Sequence, residues 1–71
     1  MNATTTQVQK ILTGNSTFSQ VGFSMLLTRL KRTYSKDPSP ASLQKCADEI
    51  NAFLQKYAPI MAADYATISK L

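Results

Sequence analysis

The chain has 71 residues, with eight Lys plus Arg, four Asp plus Glu, no His, no Trp and a single cysteine, and a formal net charge of +4. Such a length leaves room for one small core over residues 1–71 and none for a second domain. Without histidine there is no ready proton shuttle near neutral pH and no imidazole metal ligand, and the lone Cys46 builds neither a thiolate metal site nor an internal disulfide.

The opening stretch Met1 to Lys10 is polar and Thr-rich, without the basic and apolar regions of a secretory leader, and no run of about 18 apolar residues follows anywhere. A reducing, cytoplasmic setting with no membrane span fits this pattern best. In that setting the triplets Asn2-Ala3-Thr4 and Asn15-Ser16-Thr17 match the glycosylation signal without a route to the enzyme that reads it.

Val8, Ile11 and Leu12 stand at helical spacing behind a Thr run that supplies an N-cap, and Gly14-Asn15 suits a left-handed helix stop. A first helix is therefore expected over about residues 5–13, too short to stand without docking. Ser16 or Thr17 then caps a second helix over about 17–35, in which Phe23, Leu26, Leu27, Leu30 and Tyr34 form one continuous core face.

Lys36-Asp37-Pro38-Ser39-Pro40 is the strongest punctuation in the chain, because each proline lacks an N–H and pushes its predecessor out of the helical region. Ser39 before Pro40 reads as a cap followed by proline at the first helical position. From there Leu43, Cys46, Ala47, Ile50, Phe53, Leu54 and Tyr57 share one arc of a third helix, about 40–57.

Pro59 should break that helix, yet the apolar phase survives it. Leu43, Ala47, Ile50, Leu54, Tyr57, Met61, Asp64, Ile68 and Leu71 alternate in steps of four and three, a heptad seam with one acidic interruption. Two readings stay open for residues 59–70: a fresh fourth helix, or a kinked continuation of the third. A continuous helix over 40–70 would run about 45 Å and overhang its partner. The fold class expected either way is all-α, a small helical bundle of three to four helices built on an antiparallel helical hairpin.

A hairpin turning on Pro38-Ser39-Pro40 resembles the Pro-Ser turn of type III secretion needle subunits, and the small basic helical build is similar to some bacteriocin immunity proteins. Both are likenesses of architecture, and neither carries a functional residue across.

Function enters through two surfaces. Phe18, Val21 and Met25 project away from the core face of the second helix, which is thus apolar on two sides in its first half. Together with the tail residues Met61, Tyr65 and Ile68 they are expected to include a surface that another polypeptide covers, either a different protein or a second copy of this chain in a homo-oligomer. The second surface is basic. Residues 1–36 contain no acid, and Arg29, Arg32 and Lys36 fall at i, i+3 and i+7, with Lys31 beside them. Such a stripe suits the helix C-terminal dipole, an acidic partner or a nucleic-acid phosphate backbone.

A catalytic constellation is lacking. Asp48, Glu49 and Asp64 read as helix charges rather than an acid–base pair, and Cys46 on an apolar face reads as a small buried hydrophobe. The leading expectation is a non-enzymatic protein–protein interaction module, a small accessory or self-associating subunit without cofactor. The alternative is phosphate-backbone binding through the basic stripe.

Overall fold

In the computed structural model, which describes residues 1–71, four helices follow in the order α1 (Thr5–Thr13), α2 (Val21–Lys36), α3 (Pro40–Lys56) and α4 (Ala62–Ser69). There is no strand, and the fold is a small all-α bundle. α1 begins at a full capping box: the Thr4 hydroxyl accepts from the Gln7 N–H, and the Gln7 side chain accepts from the Thr4 N–H. Reciprocal satisfaction of two orphan donors is what lets so short a helix start cleanly. α3 begins as its sequence indicates, with the Ser39 hydroxyl accepting from the Ser42 N–H and Pro40 in the first turn.

α2 and α3 form the antiparallel hairpin. Gly22 lies against Phe53 at one end, and the Arg29 guanidinium donates to the Glu49 carboxylate at 2.6 Å further along. With 16 and 17 residues, the two arms span about 24 and 26 Å at 1.5 Å per residue, so neither overhangs the other.

The kinked continuation does not occur. α3 stops at Tyr57, the chain turns through residues 57–61, where the Ile60 and Met61 N–H groups both donate to the Tyr57 carbonyl, and α4 starts afresh. Pro59 has no N–H to carry the ladder, and the reversal folds the heptad seam back on itself. Met61 and Ile68 are fully enclosed and Asp64 nearly so, beside Ala47, Ile50 and Leu54 of the same seam.

Side-chain contacts give the helix directions. Gln9 donates to the Tyr34 hydroxyl, Lys10 Nζ donates to the Leu71 carbonyl oxygen, and the Tyr65 hydroxyl donates to the Asn2 carbonyl. α1, α2 and α4 therefore run in one direction and α3 in the other. The 14–20 link must cross back along the bundle, and seven extended residues reach about 23 Å, enough for that return.

That crossing changes the role of Gly14. No residue has positive φ, and Gly14 is extended at φ −107°, ψ −167°, so the expected left-handed stop is absent. What demands glycine is space: a Cβ there would lie 2.6 Å from the Lys10 carbonyl oxygen. Gly14→Ala is thus expected to destabilise by about 1–3 kcal/mol through overpacking, against the gain of about 0.4–1 kcal/mol usual for a loop Gly→Ala. Urea unfolding checks it, and an unchanged or raised midpoint would contradict the geometry.

The start of α2 also departs from expectation. It opens at Val21 rather than about residue 17, with Gln20 as an N-cap that makes no side-chain cap bond. The reason is Asp64, 3% exposed, whose carboxylate accepts from the Ser19 N–H at 2.8 Å, the Ser19 hydroxyl at 2.9 Å and the Gln20 N–H at 3.0 Å. Burial pushes this carboxyl up, and the bonds from Ser19 and Gln20 outweigh it, leaving Asp64 below its ordinary range. The acidic interruption of the seam is the clasp that ties α4 to the entrance of α2.

A second clasp holds the N-terminal segment. Asn51 accepts from the Ala3 N–H at 2.7 Å and donates to the Ala3 carbonyl at 3.0 Å, and Gln55 donates to the Asn2 side chain. Ala3 is buried in consequence, and α1 follows it onto α3.

Candidate interaction surface

Fourteen apolar residues close into one core: Phe23, Leu27, Leu30 and Tyr34 come from α2, Cys46, Ala47, Ile50 and Leu54 from α3, and the rest from α1, α4 and the segments beside them. Outside this core, several large apolar side chains remain in water, most of them on α2 and in the turn after α3. Val21 is 71% exposed, Met25 68% and Ile60 57%, with Tyr57 also open to solvent. Val21 and Met25 follow each other at i, i+4 on α2, and Ile60 and Tyr57 sit in the turn that α3 makes at Pro59.

Between these elements lies a groove. One hollow of about 250 Å³ is lined by Gln20, Gly22, Phe53, Tyr57, Ile60 and Met61. A second, of about 300 Å³, is lined by Leu26, Glu49, Ala52, Phe53, Lys56 and Tyr57. They share Phe53 and Tyr57, so the groove is continuous along the open side of the α2–α3 hairpin. Gly22 keeps the first hollow open, because a Cβ at that position would already reach 3.4 Å from the Phe53 ring.

The groove wall is an aromatic ladder rooted in the core. Phe18 meets the buried Phe23 edge-on, with centroids 5.1 Å apart and planes at 86°, Phe23 meets Phe53 at 5.5 Å, and Phe53 meets Tyr57 at 4.6 Å. Edge and tilted contacts at these separations are favourable for aromatic quadrupoles and hold Phe53 in place while a minor part of it stays open. Lys56 Nζ lies 5.4 Å from the Tyr57 ring centroid.

The residues singled out in the sequence separate into two sets. Val21 and Met25 stand free in solvent on α2 without lining either hollow, and Phe18 is half-buried. Met61 and Ile68 belong to the core and are not available to a partner, which corrects the surface expected from them. Tyr65 is half-buried, packed on the core with its hydroxyl bonded to Asn2. The physical cause is the turn after Pro59, which sends the tail inward beside α1. Periodicity assigned Phe53 and Tyr57 to the core, and the structure leaves both partly open because α4 turns towards α1 rather than over them.

Among the basic residues, Arg29 is paired with Glu49, whose hydrogen bond first and charge second raise the guanidinium above its ordinary value. Arg32 and Lys36 are exposed and make no ion pair, while Lys31 is half-buried. Cys46 is buried and free, and burial, aided by Glu49 and opposed by Arg29, pushes its thiol up. A thiol so placed is a poor nucleophile.

No helix is long and apolar enough to cross a membrane. No family model, curated protein or solved structure matches this chain.

Proposed function

We propose that this chain is a non-enzymatic protein–protein interaction module of the cytoplasm, a small accessory or self-associating subunit that meets its partner through the α2–α3 groove. The observation that carries the reading is a pair of hollows that share Phe53 and Tyr57, with exposed Tyr57 and Ile60 in their lining and exposed Val21 and Met25 next in sequence to the lining residues Gly22 and Leu26. Scattered apolar side chains are normal on a protein surface; a contiguous set around a concave aromatic floor is the anatomy of an interface core. The free Cys46 supports a reducing compartment.

Binding to a phosphate backbone has less support. The Arg29 member of the stripe is already engaged by Glu49, and no aromatic side chain is interleaved for base stacking.

The test is the double variant Val21→Glu, Met25→Glu. Both sites are solvated, so its helical circular dichroism and melting should match wild type, each change staying within about 0.5 kcal/mol. On size exclusion of extract from the cells that make it, wild type should elute in a complex larger than its own 7.8 kDa and the variant as a folded monomer. A wild type that elutes as a monomer, or a variant that stays in the complex, would refute the reading.

A further inference from the structure

From the charge around the groove we infer that its occupant is an acidic amphipathic helix of another protein, an inference that rests on the interaction reading above. On α2 the apolar stripe runs straight into cations: Val21 and Met25 continue at helical steps into Arg29, Arg32 and Lys36. On α3 the facing stripe is Lys45, Glu49, Ala52, Phe53 and Lys56. The antiparallel pairing of Gly22 with Phe53 and Arg29 with Glu49 sets the two helices side by side, with the hollows and Lys56 towards the Pro59 end and Arg32, Lys36 and Lys45 towards the Pro38 end.

Only Glu49 and Lys56 among the charged side chains line the hollows, and with Glu49 paired to Arg29 the unpaired one is Lys56, while Arg32, Lys36 and Lys45 are exposed cations further along the same two helices. None of the other acids lines a hollow: Asp64 is buried under Ser19 and Gln20, Asp48 accepts from Gln44 one turn along α3, and Asp37 follows Lys36 at the end of α2. All the unpaired charge beside the groove is therefore positive. A partner with acidic flanks gains attraction along the whole face, whereas a second copy brings the same excess of cations.

Shape selects the form of the partner. Two hollows at or below the small end of the range for small-ligand sites, about 300–1,000 Å³, suit single side chains rather than a cofactor. Two adjacent hollows that share Phe53 and Tyr57 offer places for two neighbouring anchors, which a helix presents at i and i+3 or i+4. A concave floor also favours protruding side chains over a flat lipid surface.

The test uses three synthetic peptides of about 18 residues and the intact chain. One has leucines at i, i+3, i+4 and i+7 with glutamates on the flanks; one replaces every glutamate by lysine; one scrambles the order of the first. In backbone amide NMR titrations the acidic amphipathic peptide should bind, shifting residues 21–29 and 45–60, and at least about tenfold more tightly than the other two. Its affinity should fall about tenfold or more when salt rises from about 50 to 500 mM.

Lys45→Glu with Lys56→Glu should weaken it about tenfold at unchanged melting temperature. Gly22→Leu, which places a side chain over Phe53, should abolish binding in a chain that remains folded. Failure of the acidic peptide to bind, or equal binding of the lysine peptide, overturns the inference. So does tighter binding to anionic phospholipid vesicles or duplex DNA. If sedimentation shows instead that the chain dimerises alone and that Val21→Glu, Met25→Glu abolishes the dimer, the interaction reading survives and the acidic partner does not.

Discussion

Met61→Glu is expected to unfold the chain, while Met25→Glu leaves its melting temperature within about 2–4 °C of wild type. The two methionines look alike in the sequence, each at helical spacing from apolar neighbours. The structure separates them completely, since Met61 is fully enclosed where the chain turns into α4 and Met25 stands in solvent on α2. A carboxylate at position 61 would face the Phe53 side of the groove floor with no cationic side chain lining that hollow. An unpaired buried charge costs several kcal/mol, and a chain of this size has about 3–5 kcal/mol to lose. Thermal melts followed by circular dichroism decide it. A folded Met61→Glu chain would mean that residues 57–61 do not close over the core as described.

Asp64→Asn carries the second large effect, and it is pH-dependent. The amide keeps one oxygen for the three donors of Ser19 and Gln20 and turns an NH₂ towards them, so one donor is left without an acceptor. A cost of about 1–3 kcal/mol at pH 7 follows.

Because the folded carboxyl sits below its ordinary value, the unfolded chain binds the proton more tightly. The stability from this clasp is therefore fully present above the unfolded value, about pH 4, and is lost as pH falls through the lower folded value. Melting temperatures from pH 7 down to pH 2 should show a steep acid limb in wild type and a flatter one in Asp64→Asn. Parallel limbs would remove Asp64 as the source. Unclasping would also free α4 and the 57–61 turn, on which Ile60 and one wall of the groove depend.

Local chemistry made much of the fold legible. The Thr run, Ser39 before Pro40 and the proline pair mark helix ends through bonds and exclusions within a few residues, and α1 and α3 begin where those signals stand. The heptad seam from Leu43 to Ile68 also identified buried positions on both sides of Pro59. Periodicity records which residues are buried, however, and not the direction the chain takes between them. A straight seam and a folded one leave the same pattern, and for that reason Met61, Tyr65 and Ile68 pointed to an outside partner when α1 and the core were the cover.

Two features had no local signal at all. Asp64 meets Ser19 and Gln20 across 45 and 44 residues, and Asn51 meets Ala3 across 48. Asn51 sits on the polar side of its helix by phase, and only the return of the N-terminal segment gives its amide two main-chain partners. Val21 and Met25 were legible as a second apolar face because nothing in the α2 pattern paired with them. Phe53, Tyr57 and Ile60 were not, since their exposure depends on α4 turning away.

The central claim, that the open face of the α2–α3 hairpin is where this chain meets its partner, is tested most directly by site-specific photo-cross-linking in the cells that make it. A benzophenone amino acid replaces Ile60 in the groove or Val21 or Met25 on the adjoining α2 surface, or Thr6 or Ala66 on exposed parts of α1 and α4. Discrete protein adducts are expected from the first three positions and none from the last two; adducts confined to Thr6 and Ala66, or equal from all five, would contradict it.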